Sequence, residues 1–364
     1  MSLQPYDLVT LLDVLYVFKT PTPFWLNFFP AQINFVTEKI AFDRVNADYR
    51  RLAPFVAPNV QGRIMTTEGY DTVEFKPAYV KPKHVIDPDI ILVRRPGEAL
   101  STGTLNPAQR RDAVIADILY RHAQMHIMTR EWMAARAIID GKVTIQGDDY
   151  PAVTVDFRRD ASLTVILTGA AQWNNAATAN PLGDIAAIRN QVRVLTGSVV
   201  RDIVFGRDAW SNLIARQDIK DLMNNFYRGS ETTLSKVIDN FEDNSEFLGE
   251  LKGSEGNGTL RFWLYSGKFR DHAGVLQDIL DPGMIVGISP DVQGIRCFGA
   301  IKDRGAQYQA LDMFPKMWEE EDPSVEFLMT QSAPLMVPKQ PNATFSIQVL
   351  TPEVGGPESG VTIY

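Results

Sequence analysis

The 364-residue sequence predicts an α+β protein. One helical stretch runs without a break from Pro107 to about residue 140. Extended segments with period-two alternation stand on both sides of it, and a region from about 183 to 315 alternates shorter helix and strand patterns. At 45% hydrophobic and 22% charged, the chain is globular in composition and long enough for two or three cores.

Residues 1–60 read as an arm. Leu8, Leu11, Leu12 and Leu15 have helical spacing, and Pro21, Pro23 and Pro30 then enclose Phe24, Trp25, Phe28 and Phe29. Four large aromatics in so short a span either complete the chain's own core or dock on a neighbouring subunit, and the two readings weigh evenly. Residues 61–90 read as an extended loop. Thr72, Glu74 and Lys76 alternate with Val73 and Phe75, which suggests a long hairpin over Gly62–His84 turning near Glu68–Asp71. Pro77 and Pro82 remove ladder donors, while Lys76, Lys81 and Lys83 discourage stray strand addition. Such a ribbon is marginal alone and needs another surface. Glu68, Glu74, Lys76, Lys81, Lys83 and His84 therefore join Phe24, Trp25, Phe28 and Phe29 as candidate subunit-contact residues.

Residues 91–182 contain the long helix, 107–140, opened by Asn106 as N-cap and Pro107 at the first helical position. Its stripe Val114, Ile118, Arg121, Met125, Met128, Trp132, Ala135 and Ile139 defines the expected buried face and leaves Glu131 on the polar side. Strands are expected at Lys142–Gln146 and Ala152–Phe157. Between 183 and 318 the patterns are helical at Ile185–Leu195 and Asp208–Ala215 and extended at Val199–Phe205 and Arg261–Ser266. A polar glycine-rich loop falls at Gly253–Gly258, and further strands fall in Gly283–Gly299. Residues 319–350 return to strands, with Phe345, Ile347 and Val349 predicting one buried face. Residues 351–364 read as a flexible tail rich in glycine and proline.

Chemistry-bearing constellations are sparse. His122 and His126 stand at i and i+4 on the long helix but lack the glutamate of a zinc-protease motif, so ordinary hydrogen bonds are the better reading. No phosphate-binding glycine loop or nucleophile elbow occurs. The lone Cys297 sits among apolar residues as a small hydrophobe, and its solitude excludes an intramolecular disulfide framework. The run Glu319–Asp322 reads as a solvated turn. Scattered arginines, Arg158 and Arg159 among them, read as partners for acidic residues across subunit contacts. The formal net charge of −8 argues against a protein built to grip phosphate. No catalytic, cofactor or metal site is expected, and neither a signal peptide nor a membrane span.

Five pieces of sequence occur in a telling order: Tyr79–His84, YVKPKH; Val204-Phe205 with Trp210 behind it; Tyr265-Ser266-Gly267; Trp318; and Asp322–Pro338, DPSVEFLMTQSAPLMVP. Together they resemble the lambda-type tailed-phage major capsid proteins. The resemblance implies the Hong Kong 97-type capsid fold: an N-terminal arm, an extended β-hairpin loop, a peripheral domain with a spine helix and an axial domain. It further implies pentamers and hexamers of an icosahedral shell, assembled in the bacterial host cytoplasm and enclosing double-stranded DNA held non-specifically on the inner face. Scaffolding protein, portal and a trimeric decoration protein are the implied partners, with no membrane and no catalysis. Hong Kong 97 joins its subunits by lysine–asparagine bonds; nothing in this sequence marks a partner asparagine or catalytic glutamate, so crosslinking is not expected. The rival readings are an encapsulin-like compartment and a soluble α/β enzyme.

Overall fold

The computed structural model describes residues 23–37, 39–45, 61, 70–92, 106–147, 150–217, 244–252, 259–271, 274–322 and 324–351. In chain order its strands and helices are β1 (Ala31–Asn34), β2 (Ile40–Val45), β3 (Tyr70–Phe75), β4 (Lys83–Ile86), α1 (Pro88–Leu92), α2 (Pro107–Ile139), β5 (Lys142–Gly147), β6 (Tyr150–Asp156), β7 (Thr164–Ile166), α3 (Pro181–Thr196), β8 (Asp202–Phe205) and α4 (Arg207–Ala215). There follow β9 (Ser245–Lys252), β10 (Thr259–Tyr265), β11 (Lys268–Arg270), β12 (Leu276–Asp278), β13 (Met284–Ile288), β14 (Ile295–Phe298), β15 (Phe314–Glu320), β16 (Val325–Gln331), β17 (Pro334–Val337) and β18 (Thr344–Gln348). The leucine-bearing segment at 8–15, the Gly253–Gly258 loop and the tail after Thr351 lie outside the described residues.

The long helix α2 forms where local chemistry directs it. Asn106 accepts a hydrogen bond from the Gln109 amide at 2.8 Å, and the Gln109 side chain accepts one from the Asn106 amide at 3.0 Å, a reciprocal capping box. At the other end Gly141 takes a left-handed φ of 67°. Arg159 then caps the helix C-terminus, donating to the carbonyls of Ile138 and Ile139 at 2.6 Å each. The same guanidinium reaches Thr164 and Ser346 at 2.6 and 3.0 Å, so one cation joins the negative end of the helix to β7 and β18. Its partners lie within its own chain and are hydroxyls and carbonyls, which corrects the expectation of an acidic partner across a subunit contact.

At 33 residues and about 50 Å, α2 serves two separate cores. Its first third buries Val114, Ile115, Ile118 and Leu119 against Ile86 and Leu328 of a three-stranded sheet in the order β15–β16–β4. Its last third, Trp132 to Ile139, joins the largest core. Between them the expected stripe fails. Arg121, Met125 and Met128 are exposed, and the buried line runs instead through His122 and His126.

A six-stranded mixed sheet, β7–β18–β13–β8–β10–β9, makes the second body. Helix α3 lays Ile185, Ile188 and Val192 on it, against Phe205, Phe262, Phe345 and Ile347. Strand β18 buries both of its faces rather than one. Phe345 and Ile347 enter this core, while Ser346 and Gln348 on the other side are buried with hydrogen bonds to Arg159 and Asp281. Packing is tight at Gly287 in β13, where an added Cβ would stand 2.1 Å from the Phe345 ring. A smaller sheet, β1–β14–β17, pairs β1 in parallel with β14 in a register of Ala31 to Ile295.

The first arm of the predicted hairpin lies outside the described residues; its second arm is seen. β3 pairs antiparallel with β2, Ile40 facing Phe75 and Val45 facing Tyr70, and β4 pairs with β16. A period-two pattern shows that a segment is a strand but does not name its partner. Strand 40–45, expected in the arm, is half of the ribbon.

Candidate subunit interface

The aromatics of the arm settle in the chain's own core. Trp25 and Phe29 are fully buried, Phe24 nearly so, and Phe28 packs at the edge. Phe24 meets Trp25, Trp263 and Tyr265 with ring centroids 5.3–5.6 Å apart. Residues Trp25–Phe28 form one short 3₁₀ turn whose free amides need an acceptor. Glu131 supplies it, accepting from the Trp25 and Leu26 amides at 2.8 and 3.0 Å. Burial raises its carboxyl above the ordinary range, and these backbone bonds oppose that rise. Glu131 is thus inside, not on a polar side, and docking of Phe24, Trp25 and Phe29 on a neighbour is replaced by docking on α2.

The segment 79–86 follows strict alternation. Val80, Pro82, His84 and Ile86 face inward: Val80 exchanges two backbone bonds with Ser332, Pro82 accepts from the Thr330 amide, and Ile86 is buried on α2. His84 Nδ1 lies 2.7 Å from His122 Nε2, and His126 Nε2 lies 2.9 Å from Thr330 Oγ1. Burial pushes the His122 imidazole down to about 4, with His84 beside it contributing. Burial likewise takes His126 down to about 3, helped by Arg130 and His122. Ordinary hydrogen bonds are what the sequence suggested for this pair, although it set them beside the buried stripe rather than on it. Among the described residues no group of three or more metal-ligating side chains is assembled.

Tyr79, Lys81, Lys83 and Val85 face outward. Tyr79 Oη donates to the Ala300 carbonyl at 2.8 Å, and the Lys81 ammonium rests 4.7 Å over the Tyr79 ring. Lys83 sits 3.8 Å over Phe327 and 5.1 Å over Trp318, whose rings stack on each other at 5.4 Å. The outer face of the sheet thus carries half-buried rings under fixed cations, a feature sequence reading missed because Trp318 and Phe327 meet only through the β15–β16 register. Of the remaining candidates, Glu74 pairs with Lys39 at 2.7 Å within the ribbon, Lys76 is exposed, and Glu68 lies outside the described residues.

On the ribbon, Ile40 and Phe75 are buried at its base, and the register pairs Phe42 with Val73 further along. Cys297 is buried in β14, and burial pushes its thiol up to about 12, which leaves it inert. No helix among the described residues is long and apolar enough to cross a membrane.

Comparison with known proteins identifies matches over nearly the whole chain. The model of the family described as phage major capsid protein E matches residues 7–349. The major capsid protein of Escherichia phage lambda is 29% identical over 339 residues, covering 91% of this chain and 95% of the relative. That of Enterobacteria phage P21 is 30% identical over 330 residues, covering 88% and 92%. Among solved structures, a prophage protein of E. coli CFT073 described as a capsid protein aligns with a TM-score of 0.71 and 23% identity, over 96% of this chain and 100% of that one. This last likeness establishes the fold.

Proposed function

We propose a specific role from a plain premise: this chain belongs to the phage major capsid protein E family and is a structural subunit of a phage head, assembling with itself into a multimeric shell. It forms the pentamers and hexamers of an icosahedral head around double-stranded DNA, without catalysis. Assembly takes place in the host cytoplasm, with scaffolding protein and portal as partners and a trimeric decoration protein outside. Curated relatives that are phage major capsid proteins over nine-tenths of the chain support a virion rather than an encapsulin-like compartment.

The observation that carries this reading is the β2–β3 ribbon. Its base pair, Ile40 and Phe75, is buried, and its two strands pair on as far as Val45 and Tyr70. A two-stranded ribbon is marginal in water, so its outer part requires a surface that a neighbour supplies. The net charge of −8 suits a wall that encloses DNA without gripping it. The test is to express the full chain and image it by negative stain: closed shells are expected, and a purified protein that stays monomeric at all concentrations, with or without a scaffolding protein, defeats the proposal.

A further inference from the structure

We infer that the outward face of the β15–β16–β4 sheet receives the acidic turn Glu319–Asp322 of a second copy of this chain. This rests on the shell-forming role and names a contact within it.

The receiving face is defined by alternation. Lys81 and Lys83 project from it, each resting on an aromatic ring, Tyr79 for the first and Phe327 with Trp318 for the second. A lysine laid on a ring has given up part of its rotamer freedom before any partner arrives, so an incoming carboxylate meets a placed cation. Neither lysine has a carboxylate partner among the described residues, although Lys316 on β15, across the sheet, is held by Asp303 at 2.7 Å.

The complementary charge stands at the other end of the same sheet. Glu319, Glu320, Glu321 and Asp322 are all exposed, and none has a cation partner among the described residues. β4 pairs with β16 only from Glu326 to Met329, so the Glu320–Val325 pair at the end of β15 and β16 lies beyond the last pair made by β4. Four unpaired carboxylates on one turn repel one another, and a neighbouring cation relieves that cost.

The two ends are not paired within one molecule. The Lys83 ammonium rests over Phe327 and Trp318, two residues along the strands from Val325 and Glu320, Lys81 lies two residues further away, and no ion pair joins either lysine to the turn among the described residues. A rigid sheet with a basic end and an acidic end pairs head to tail. Each subunit gives one turn and receives one, the heterologous contact that closes a ring when the rotation between copies permits. Opposite charges also steer encounter and reject the reversed docking, in which like charges meet.

The experiment is a charge swap in the full chain, with far-ultraviolet circular dichroism to establish that each variant is folded. Lys81→Glu with Lys83→Glu, and separately Glu320→Lys with Glu321→Lys, are expected to give folded subunits that form no closed shells. All four substitutions in one chain restore complementarity and are expected to restore shells. Lys83→Gln keeps the apolar stem over Phe327 and is expected to raise the subunit concentration needed for assembly roughly tenfold at low salt, with less effect at high salt. Shells from the Lys81→Glu, Lys83→Glu chain at wild-type yield overturn the inference, as does a folded four-substitution chain that still fails to assemble. Absence of shells from the wild-type chain itself strikes the proposed function instead.

Discussion

Replacing Glu131 with alanine removes the acceptor on which the arm is hung. The carboxylate takes the amides of Trp25 and Leu26 at 2.8 and 3.0 Å, and all three residues are buried. Once it is gone, two buried donors have no partner, at about 1–3 kcal/mol each. The expected loss is therefore about 2–6 kcal/mol, reduced somewhat because a buried charge no longer has to be desolvated. At roughly 2 °C per kcal/mol for a chain of this size, the melting temperature falls by about 4–12 °C. Glu131→Gln keeps one acceptor oxygen and should fall between alanine and wild type. Hydrogen exchange gives the local readout: the Trp25 and Leu26 amides should lose protection in the alanine variant well before the core of the six-stranded sheet does. A Glu131→Ala protein that melts within about 1 °C of wild type, with both amides still protected, would refute the reasoning.

Three further outcomes follow from the packing. Trp132→Ala empties a buried site beside Phe269 and should cost ~3–5 kcal/mol, whereas Met125→Ala, on the exposed side of the same helix, should cost less than about 0.5 kcal/mol by urea denaturation. Gly287→Ala sets a methyl against the Phe345 ring and should destabilise by about 1–3 kcal/mol, while Gly274→Ala, with open space around it but a φ of 78°, tests backbone strain alone. His126 is held neutral in the fold, so its contribution is present above pH 6.5 and is lost as pH falls from there toward its folded value of about 3. That amounts to about 2 kcal/mol between pH 6.5 and 5, and His126→Gln should flatten that part of the acid limb in urea titrations at the two pH values.

The legible parts of the fold were those set by nearby residues. Asn106, Pro107 and Gly141 mark both ends of α2 through capping chemistry, and the helix lies within a residue of where they place it. Segments such as Arg207–Ala215 and Thr259–Tyr265 likewise show in short patterns. Pairing was not legible. β1 with β14, some 260 positions apart, and β2 with β3, across residues outside the described set, depend on contacts that no local period encodes. On the candidate interface, Lys81 and Lys83 were read as guards against stray strand addition, but the Trp318–Phe327 stack that places Lys83 exists only once β15 and β16 are in register.

The middle of α2 shows why composition misleads about a buried face. From Val114 and Ile118 the inward line continues in steps of four to His122 and His126, while the apolar residues Met125 and Met128 lie to one side of it. A reading that seeks apolar residues must follow the methionines, because an isolated histidine in a core carries a polar cost. That cost is reduced here by groups far away in sequence, His84 for the Nε2 of His122 and Thr330 for the Nε2 of His126, while the Nδ1 of each ring stays without a partner. Both partners arrive on strands of one sheet, β4 and β16, whose own inward residues Ile86 and Leu328 need the same stretch of helix. The two hydrogen bonds therefore fix the rotation of α2 against that sheet, and by fixing it they set Met125 and Met128 outward. Glu131 extends the same logic one turn further, where a carboxylate enters the interior because the backbone of the arm supplies its donors. Along this helix the polar residues select the buried face, and the apolar residues fill the space that choice leaves.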